Sequence, residues 1–457
     1  MTTPPPPSKK RRPRDHAPTQ ARAAGKAAPR NPARPAQGLA ARKAALTLVD
    51  AAIERRRGME DADPVPLAAL EGRDRGFARA LALATLRWLG PIDRALAARL
   101  QRPPPPAVTR LLRLGAAQML ALDTPAHAAV STTLALAGED QRARAFIKLI
   151  NAVLRGIDRE RPIPIPEHFA PDWLFARWRA AYGEAAAQAL AAQIAAEPPT
   201  DLSLRDPGEA EAIAAAVGGA VLPGPTVRTS QRGDVALWPG FSDGAWWVQD
   251  AAAAIPARLL RVQAGETALD LCAAPGGKTL QLAAAGGRVV ALDRSAERLE
   301  RVRENLTRVG LEAELVAADA AAWGDARGFD AVLLDAPCSA TGAFRRHPDV
   351  LWTSRPADIA SLAAVQSALL DAAAAKVRPG GRLVYCVCSL EPEEGEAQVT
   401  AFLARRPDMV LDPIAPGEGG APEAALRADG TLRLLPSQAL PVGGLDGFFV
   451  ARFLRLK

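Results

Sequence analysis

Cysteine is scarce in this chain, with four residues in 457: Cys272, Cys338, Cys386 and Cys388. They show no repeating spacing, which excludes a disulfide framework, and no CxxC pair or Cys/His cluster stands ready to hold zinc or another metal. Reduced thiols suit a cytoplasmic protein, the expected location. Long apolar runs are also missing. No uninterrupted stretch of about 18 apolar residues offers a membrane span, and the Pro-rich, basic opening residues lack the apolar core of a secretory signal. An excess of positive charge is confined to one segment. Residues 1–38 hold nine basic side chains against the single acid Asp15, a charge of +8 within a net +7, so the remainder carries −1. A nucleic-acid surface on the folded part therefore has to be a local patch.

At about 150 residues per domain the length suggests about three domains, and the 49% apolar content supplies their cores. Residues 1–38, rich in Pro, Ala, Lys and Arg, are expected to be disordered. Two readings stay open for them, an electrostatic arm for phosphates or a solubilising tail. Residues 39–160 show helical spacing. Leu46, Val49 and Ile53 form one stripe, and Phe77, Leu81, Ala84 and Trp88 form the next, with Gly90-Pro91 as the break. Leu111 and Leu114, then Pro125 to Leu134, then FIKLINAVLRGI complete an all-α bundle of five or more short helices. RPIPIPEH is a linker. Residues 165–240 read as a small α+β module, with helices after Trp173 and strands in EPPTDLSLRD and AVLPGPTVRTS. Trp246 and Trp247, just beyond, read as packing residues rather than base-stacking platforms.

Residues 241–457 form the third unit. TALDL, RVVALD, AELVAAD, AVLLDAP and RLVYCV are apolar strands alternating with the helical segments TLQLAAA, SAERLERVRENLTRVG and Ala357–Val377. This alternation predicts a parallel, doubly wound α/β sheet with ligands outside the carboxyl ends of its strands.

The chemistry gathers at those ends. AAPGGKT follows a strand and opens a helix, where glycines let the backbone approach a ligand and the helix amino end supplies unpaired N–H groups. A Walker loop would need glycine at the position of Cys272. Asp293, ending the second strand, stands where an acid can bind both hydroxyls of a ribose, and Asp319, ending the third, can face an adenine. Such a loop with successive strand-end acids suits S-adenosylmethionine better than a triphosphate. Cys386 and Cys388 lie two apart on one strand and share a face, with Cys388 at the carboxyl end and Cys386 one step deeper, as a packed core residue. Cys338, after Asp335-Ala336-Pro337, ends the neighbouring strand. Two thiols and a carboxylate can thus converge at the mouth of one sheet, and a free thiol is a strong nucleophile.

DLCAAPGGKT, DAPCSATG with the following RRHPDVLW, YCVCSL, VQDAAA and DGFFVARF together resemble the Sun (Fmu) family of bacterial 16S rRNA cytosine-C5 methyltransferases. The resemblance runs from about Ala40, with the helical domain similar to a NusB-like RNA-binding domain that includes INAVLR. It implies a multidomain chain: an α/β Rossmann-like doubly wound methyltransferase domain (241–457) preceded by the all-α NusB-like domain (39–160) and the small α+β module (165–240). It further implies methyl transfer from S-adenosylmethionine to C5 of a cytosine in small-subunit rRNA. Cys388 would attack C6, Asp335 would hold the base edge and also border the cofactor, and Cys338 would assist release. Spacing alone does not choose between the two thiols. The implied cofactor residues are Cys272, Ala273, Ala274, Pro275, Gly276, Gly277, Lys278, Asp293, Asp319 and Asp335. Family members usually carry Thr before the nucleophile, where this chain has Val387. Arg345, Arg346 and His347 are placed to meet phosphates near a target base, the bland reading being a solvated charged loop. RNA is the expected partner and the chain is expected to act as a monomer without a membrane. The competing readings are the same chemistry on tRNA or another rRNA site, and a non-catalytic RNA-binding assembly or antitermination factor.

Overall fold

The computed structural model describes residues 1–3, 38–59, 65–439 and 442–457; the expected disorder of residues 1–38 falls almost wholly outside them. Between Leu39 and Glu160 the chain folds as helices Leu39–Ile53, Gly72–Arg87, Leu89–Ala97, Pro106–Leu120, Ala126–Glu139 and Ile147–Glu160, with one turn at Val65–Ala68. Their apolar stripes, among them Leu48, Val49, Leu81, Leu111, Leu112, Ile150 and Leu154, close one core. The expected stop at Gly90-Pro91 instead lies in the first turn of the helix that begins at Leu89. Proline is tolerated there because a first-turn N–H has no intrahelical acceptor.

After a 3₁₀ turn at Pro166–Phe169, helices Asp172–Tyr182 and Glu184–Ala192 lead into a small sheet. Its strands are β1 (Thr200–Leu204), β2 (Gly219–Leu222), β3 (Thr226–Thr229) and β4 (Trp246–Val248), in the order β2-β3-β1-β4 and antiparallel throughout. The division at residue 241 places β4 at the start of the third unit. It pairs with β1 instead, which buries Trp246 and Trp247. The indole of Trp246 donates to the Pro239 carbonyl at 2.8 Å and that of Trp247 to Gln249 at 2.8 Å, so both are packing residues.

The larger sheet contains β5 (Thr267–Leu271), β6 (Arg288–Asp293), β7 (Glu314–Ala317), β8 (Phe329–Asp335), β9 (Val377–Val387), β10 (Met409–Leu411), β11 (Leu432–Leu434) and β12 (Phe448–Arg455). The order is β10-β12-β9-β8-β5-β6-β7, with β11 paired to β12. Strands β5 to β9 are parallel, as their alternation with helices requires. β12 corrects the all-parallel expectation, because it runs against both β9 and β10. β10 and β11 run parallel to β9 and end at the carboxyl edge of the sheet, so the chain enters its last strand from that edge and runs in reverse. Alternate residues serve the two faces. Val332, Leu334, Tyr385 and Val387 pack on one side, and Ala331, Leu333, Val384 and Cys386 on the other.

Helix Ala296–Val309 shows how sequence sets these covering elements. Ser295 caps it by accepting from the Arg298 N–H, Gly310 ends it in the left-handed region, and Leu299, Val302, Leu306 and Val309 form its buried stripe. Helix Pro356–Lys376 is long and apolar enough to cross a membrane by length and composition, although Asp358, Ser361, Gln366, Ser367 and Asp371 interrupt its apolar run. Its Leu369, Leu370, Ala373 and Ala374 are buried in the core of the sheet.

The helical domain seats on the loop that follows β8. Trp352 Nε1 donates to the Leu86 carbonyl at 2.9 Å, the Met59 N–H to Asp349 at 3.0 Å, and Arg56 to the Thr353 carbonyl at 2.8 Å. Arg87, 5% exposed, donates to the carbonyls of Ile194, Ala196 and Arg345 at 2.9, 3.1 and 2.8 Å. One guanidinium thus ties together three segments.

Candidate active site

The carboxyl ends of β5, β6, β7, β8 and β9 share one edge of the sheet, and the reversed β12 brings Asp446-Gly447 to the same edge. Past β5 the chain turns at Cys272 (φ 63°) and reaches Gly276 (φ 104°), which begins helix Gly277–Ala284. A Cβ at Gly276 would also lie 3.0 Å from Val302, so space and backbone both demand glycine. No side chain caps that helix, leaving its first N–H groups for a ligand.

Asp293, 2% exposed, accepts from the Ala274 N–H at 3.2 Å and the Ser295 N–H at 2.9 Å, which fixes its carboxylate over the loop. Asp319 is exposed, and among the described residues its carboxylate accepts through Oδ1, from the Ala321 N–H at 2.9 Å. Below the loop, Asp270 is fully buried and accepts from Thr279 Oγ1 at 2.6 Å; burial pushes its carboxyl up to about 7. Burial likewise pushes the Cys272 thiol up to about 12, so it is a neutral lining group.

Lys278 Nζ donates to Asp335 Oδ2 at 2.7 Å and lies 5.5 Å from the centroid of the Phe448 ring. Burial opposes the ammonium, but Asp335 beside it raises its pKa on balance and holds the charge. The other oxygen of Asp335 accepts from Cys386 Sγ at 3.4 Å. Cys386 is fully buried, as expected of a core residue, and burial holds it a thiol; sequence reading missed that it orients Asp335. Beyond the ends of β8 and β9, Cys338 Sγ and Cys388 Sγ lie 3.5 Å apart, both half-buried. The hydrogen bond to Cys388 raises the Cys338 thiol well above its ordinary value, with burial and neighbouring charges adding to it. Glycines allow this closeness. The Gly342 N–H donates to the Cys388 carbonyl at 3.0 Å and the Gly447 N–H to the Gly342 carbonyl at 2.9 Å, while a Cβ on Gly342 would meet Gly447 O at 2.3 Å.

Arg345 and Arg346 correct an expectation. Neither guanidinium faces outward to meet phosphates. Arg345 is 3% exposed and points at Asp446. Arg346 lies 2.6 Å from Asp250 and 3.1 Å from Asp201, carboxylates that are themselves buried. Buried acids claim these charges because an unpaired buried ion is costly. Asp250 and Asp446 sit in the VQDAAA and DGFF segments, so the signal was present in the sequence without its partner. His347 is half-buried, its N–H bonded to the Ala343 carbonyl.

Comparison with known proteins gives these ends of strands their context. Residues 257–454 match the family model described as 16S rRNA methyltransferase RsmB/F, and residues 39–159 match the NusB family. The chain is 38% identical over 448 residues to the ribosomal RNA small subunit methyltransferase B of Pseudomonas syringae pv. tomato, covering 91% of this chain and 97% of that protein. The chain belongs to the ribosomal RNA small subunit methyltransferase B family. The family's Xanthomonas campestris pv. campestris protein is 37% identical over 440 residues, covering 92% and 98% of the two chains. Among solved structures, that of PH0851 aligns with a TM-score of 0.73 at 22% identity over 91% of this chain and 98% of the other, and so shares the fold. A methyltransferase homolog protein from Pyrococcus horikoshii aligns with a TM-score of 0.52 at 27% identity, over 63% and 95%.

This chain is therefore an S-adenosylmethionine-dependent rRNA methyltransferase. The donor set fits that cofactor: uncapped N–H groups at Gly277, a fixed strand-end carboxylate at Asp293 for hydroxyls, and an exposed carboxylate at Asp319 for an amino group.

Proposed function

We propose that this protein methylates C5 of a specific cytosine in small-subunit rRNA, with Cys388 as the nucleophile and Cys338 assisting release. The observation that carries this reading is the pair of thiols 3.5 Å apart at the ends of adjacent strands, next to the Lys278–Asp335 pair. A methyltransferase that used an intrinsically nucleophilic atom of its substrate would have no need of two apposed sulfurs. C5 of cytosine is not nucleophilic until a thiolate adds at C6 and pushes the electrons of the 5,6 double bond toward the N3 side of the ring.

Asp335 would hold that N3 and amino edge, and it is pre-oriented for the task by Lys278 on one oxygen and Cys386 on the other. Lys278, charged and buried, stabilises negative charge that builds on the ring. Cofactor contacts would come from Cys272, Ala273, Ala274, Pro275, Gly276, Gly277, Lys278, Asp293, Asp319 and Asp335. When bound, S-adenosylmethionine supplies an electrophilic methyl group. In release the C5 proton passes to solvent water, its electron pair restores the 5,6 double bond, and the C6–sulfur bond breaks with its pair leaving on Cys388 as a thiolate. A thiol on Cys338 donating to that sulfur stabilises it as the departing thiolate. The target base has to leave its stack to reach this edge, as bases in RNA loops can. The expected form is a monomer acting on RNA, and reduced thiols suit the cytoplasm.

Incubation with labelled S-adenosylmethionine and unmodified small-subunit rRNA, followed by nucleoside analysis, tests the reading. Label is expected in 5-methylcytosine at one position. Label confined to another nucleoside, or found only on tRNA, would contradict it.

A further inference from the structure

Glu394 is fully buried and forms no ion pair among the described residues. Its carboxylate meets four donors. One oxygen accepts from the Ser339 N–H at 2.9 Å and from Gln366 Nε2 at 3.0 Å. The other accepts from the hydroxyls of Ser339 and Ser389. Ser339 directly follows Cys338, and Ser389 directly follows Cys388. Gln366, on helix Pro356–Lys376, also donates to the Pro337 carbonyl at 3.0 Å, so the residue before Cys338 belongs to the same knot. Tyr385 Oη donates to the Glu394 carbonyl at 2.6 Å and holds the turn itself.

We propose that Glu394 is a positioning residue of the reaction, a buried anchor that ties the residues after both thiols to one carboxylate and so sets Cys338 against Cys388. The inference rests on the two-thiol reading above. Burying a carboxylate without a cation is costly, and a neutral side chain would hold ordinary packing with less penalty. What the carboxylate adds is a shared acceptor for hydroxyls from two different loops, and charge-assisted hydrogen bonds are the strong, directional ones. Its charge also adds to the effects that keep Cys338 a thiol, after the Cys388 hydrogen bond and burial.

The two sulfurs do not depend on the anchor equally. Cys388 directly follows β9, which pairs with β8 on one side and β12 on the other. Cys338 lies in a loop three residues past the end of β8. Loss of the anchor therefore displaces Cys338 more than Cys388, so attack persists while release slows.

The test uses the full-length enzyme with Glu394→Gln and, as a milder change, Ser339→Ala. It measures turnover on small-subunit rRNA, the covalent RNA–protein adduct that survives denaturing gels, and thermal unfolding. For Glu394→Gln the expected result is a kcat lower by about 10- to 100-fold, since misplacement by an ångström costs about that much. KM for RNA should be unchanged and adduct should accumulate. Ser339→Ala should do the same more weakly. A merely structural role would lower adduct and turnover together. That outcome, or adduct unchanged in both variants, overturns the proposal. If Glu394→Gln does not fold, the Ser339→Ala adduct decides by the same criterion. Cys338→Ala is run alongside. If it traps no adduct the two-thiol reading fails, whereas if it traps adduct and neither anchor variant does, only the role of Glu394 fails.

Discussion

Cys386 shows how far a single residue could be read. Its spacing from Cys388 placed both on one face of a strand and its depth made it a core residue, but the bond to Asp335 depends on the register of β9 against β8, which pairs Asp335 with Cys386. Arg345 and Arg346 were misread for a related reason. Their carboxylate partners lie 96 or more positions away in sequence, so a local reading sees only a charged loop. Two predictions belong at this scale. Lys278→Met removes the cation from Asp335 and from the ring edge, so kcat should fall by about 100-fold or more, measured by single-turnover methyl transfer. Asp270 gives a pH prediction. Its carboxyl is raised from an ordinary value of 3.8 to about 7, so its contribution to stability is fully present below about pH 4 and is lost as pH rises through about 7. Urea unfolding between pH 4 and 8 should show that decline, and Asp270→Asn should flatten it by the order of a few kcal/mol.

The strands that carry the site were legible as elements because fully apolar runs between helices mean a buried parallel sheet. β4 and β12 were not assigned their places. A three-residue strand has no period to read, and the direction of β12 follows from where the preceding chain leaves the sheet. The close approach of Gly342 and Gly447 joins two motifs that the sequence separates by 105 positions. Gly342→Ala puts a Cβ 2.3 Å from a backbone oxygen, which a packed core cannot absorb without moving the Cys388 segment. It should cost about 1–3 kcal/mol of stability and most of the activity, with thermal unfolding and methyl transfer as the two measurements.

For the whole molecule, the order of helical domain, small module and catalytic sheet follows from composition and periodicity. How the parts touch does not, because docking is made by isolated side chains such as Arg87 and Trp352 on distant backbone carbonyls. Residues 38–457 form one compact unit, and Arg87 is a joint within it. Arg87→Ala leaves three carbonyls without their donor and should lower stability by about 2–4 kcal/mol. Activity on rRNA should drop further than stability alone explains, because one of those carbonyls is Arg345 on the loop past Cys338. Urea midpoints and methylation rates at a temperature where the variant stays folded check both parts.

The central claim is that Cys388 is the sulfur that bonds to RNA and Cys338 the one that frees it. The most direct test is to trap the Cys338→Ala enzyme on unmodified small-subunit rRNA with S-adenosylmethionine, digest the adduct, and locate the modified peptide by mass spectrometry. The account predicts a methylated cytosine attached to Cys388, and no adduct when Cys388→Ala is added. Attachment at any other residue, or an adduct that survives loss of Cys388, would contradict it.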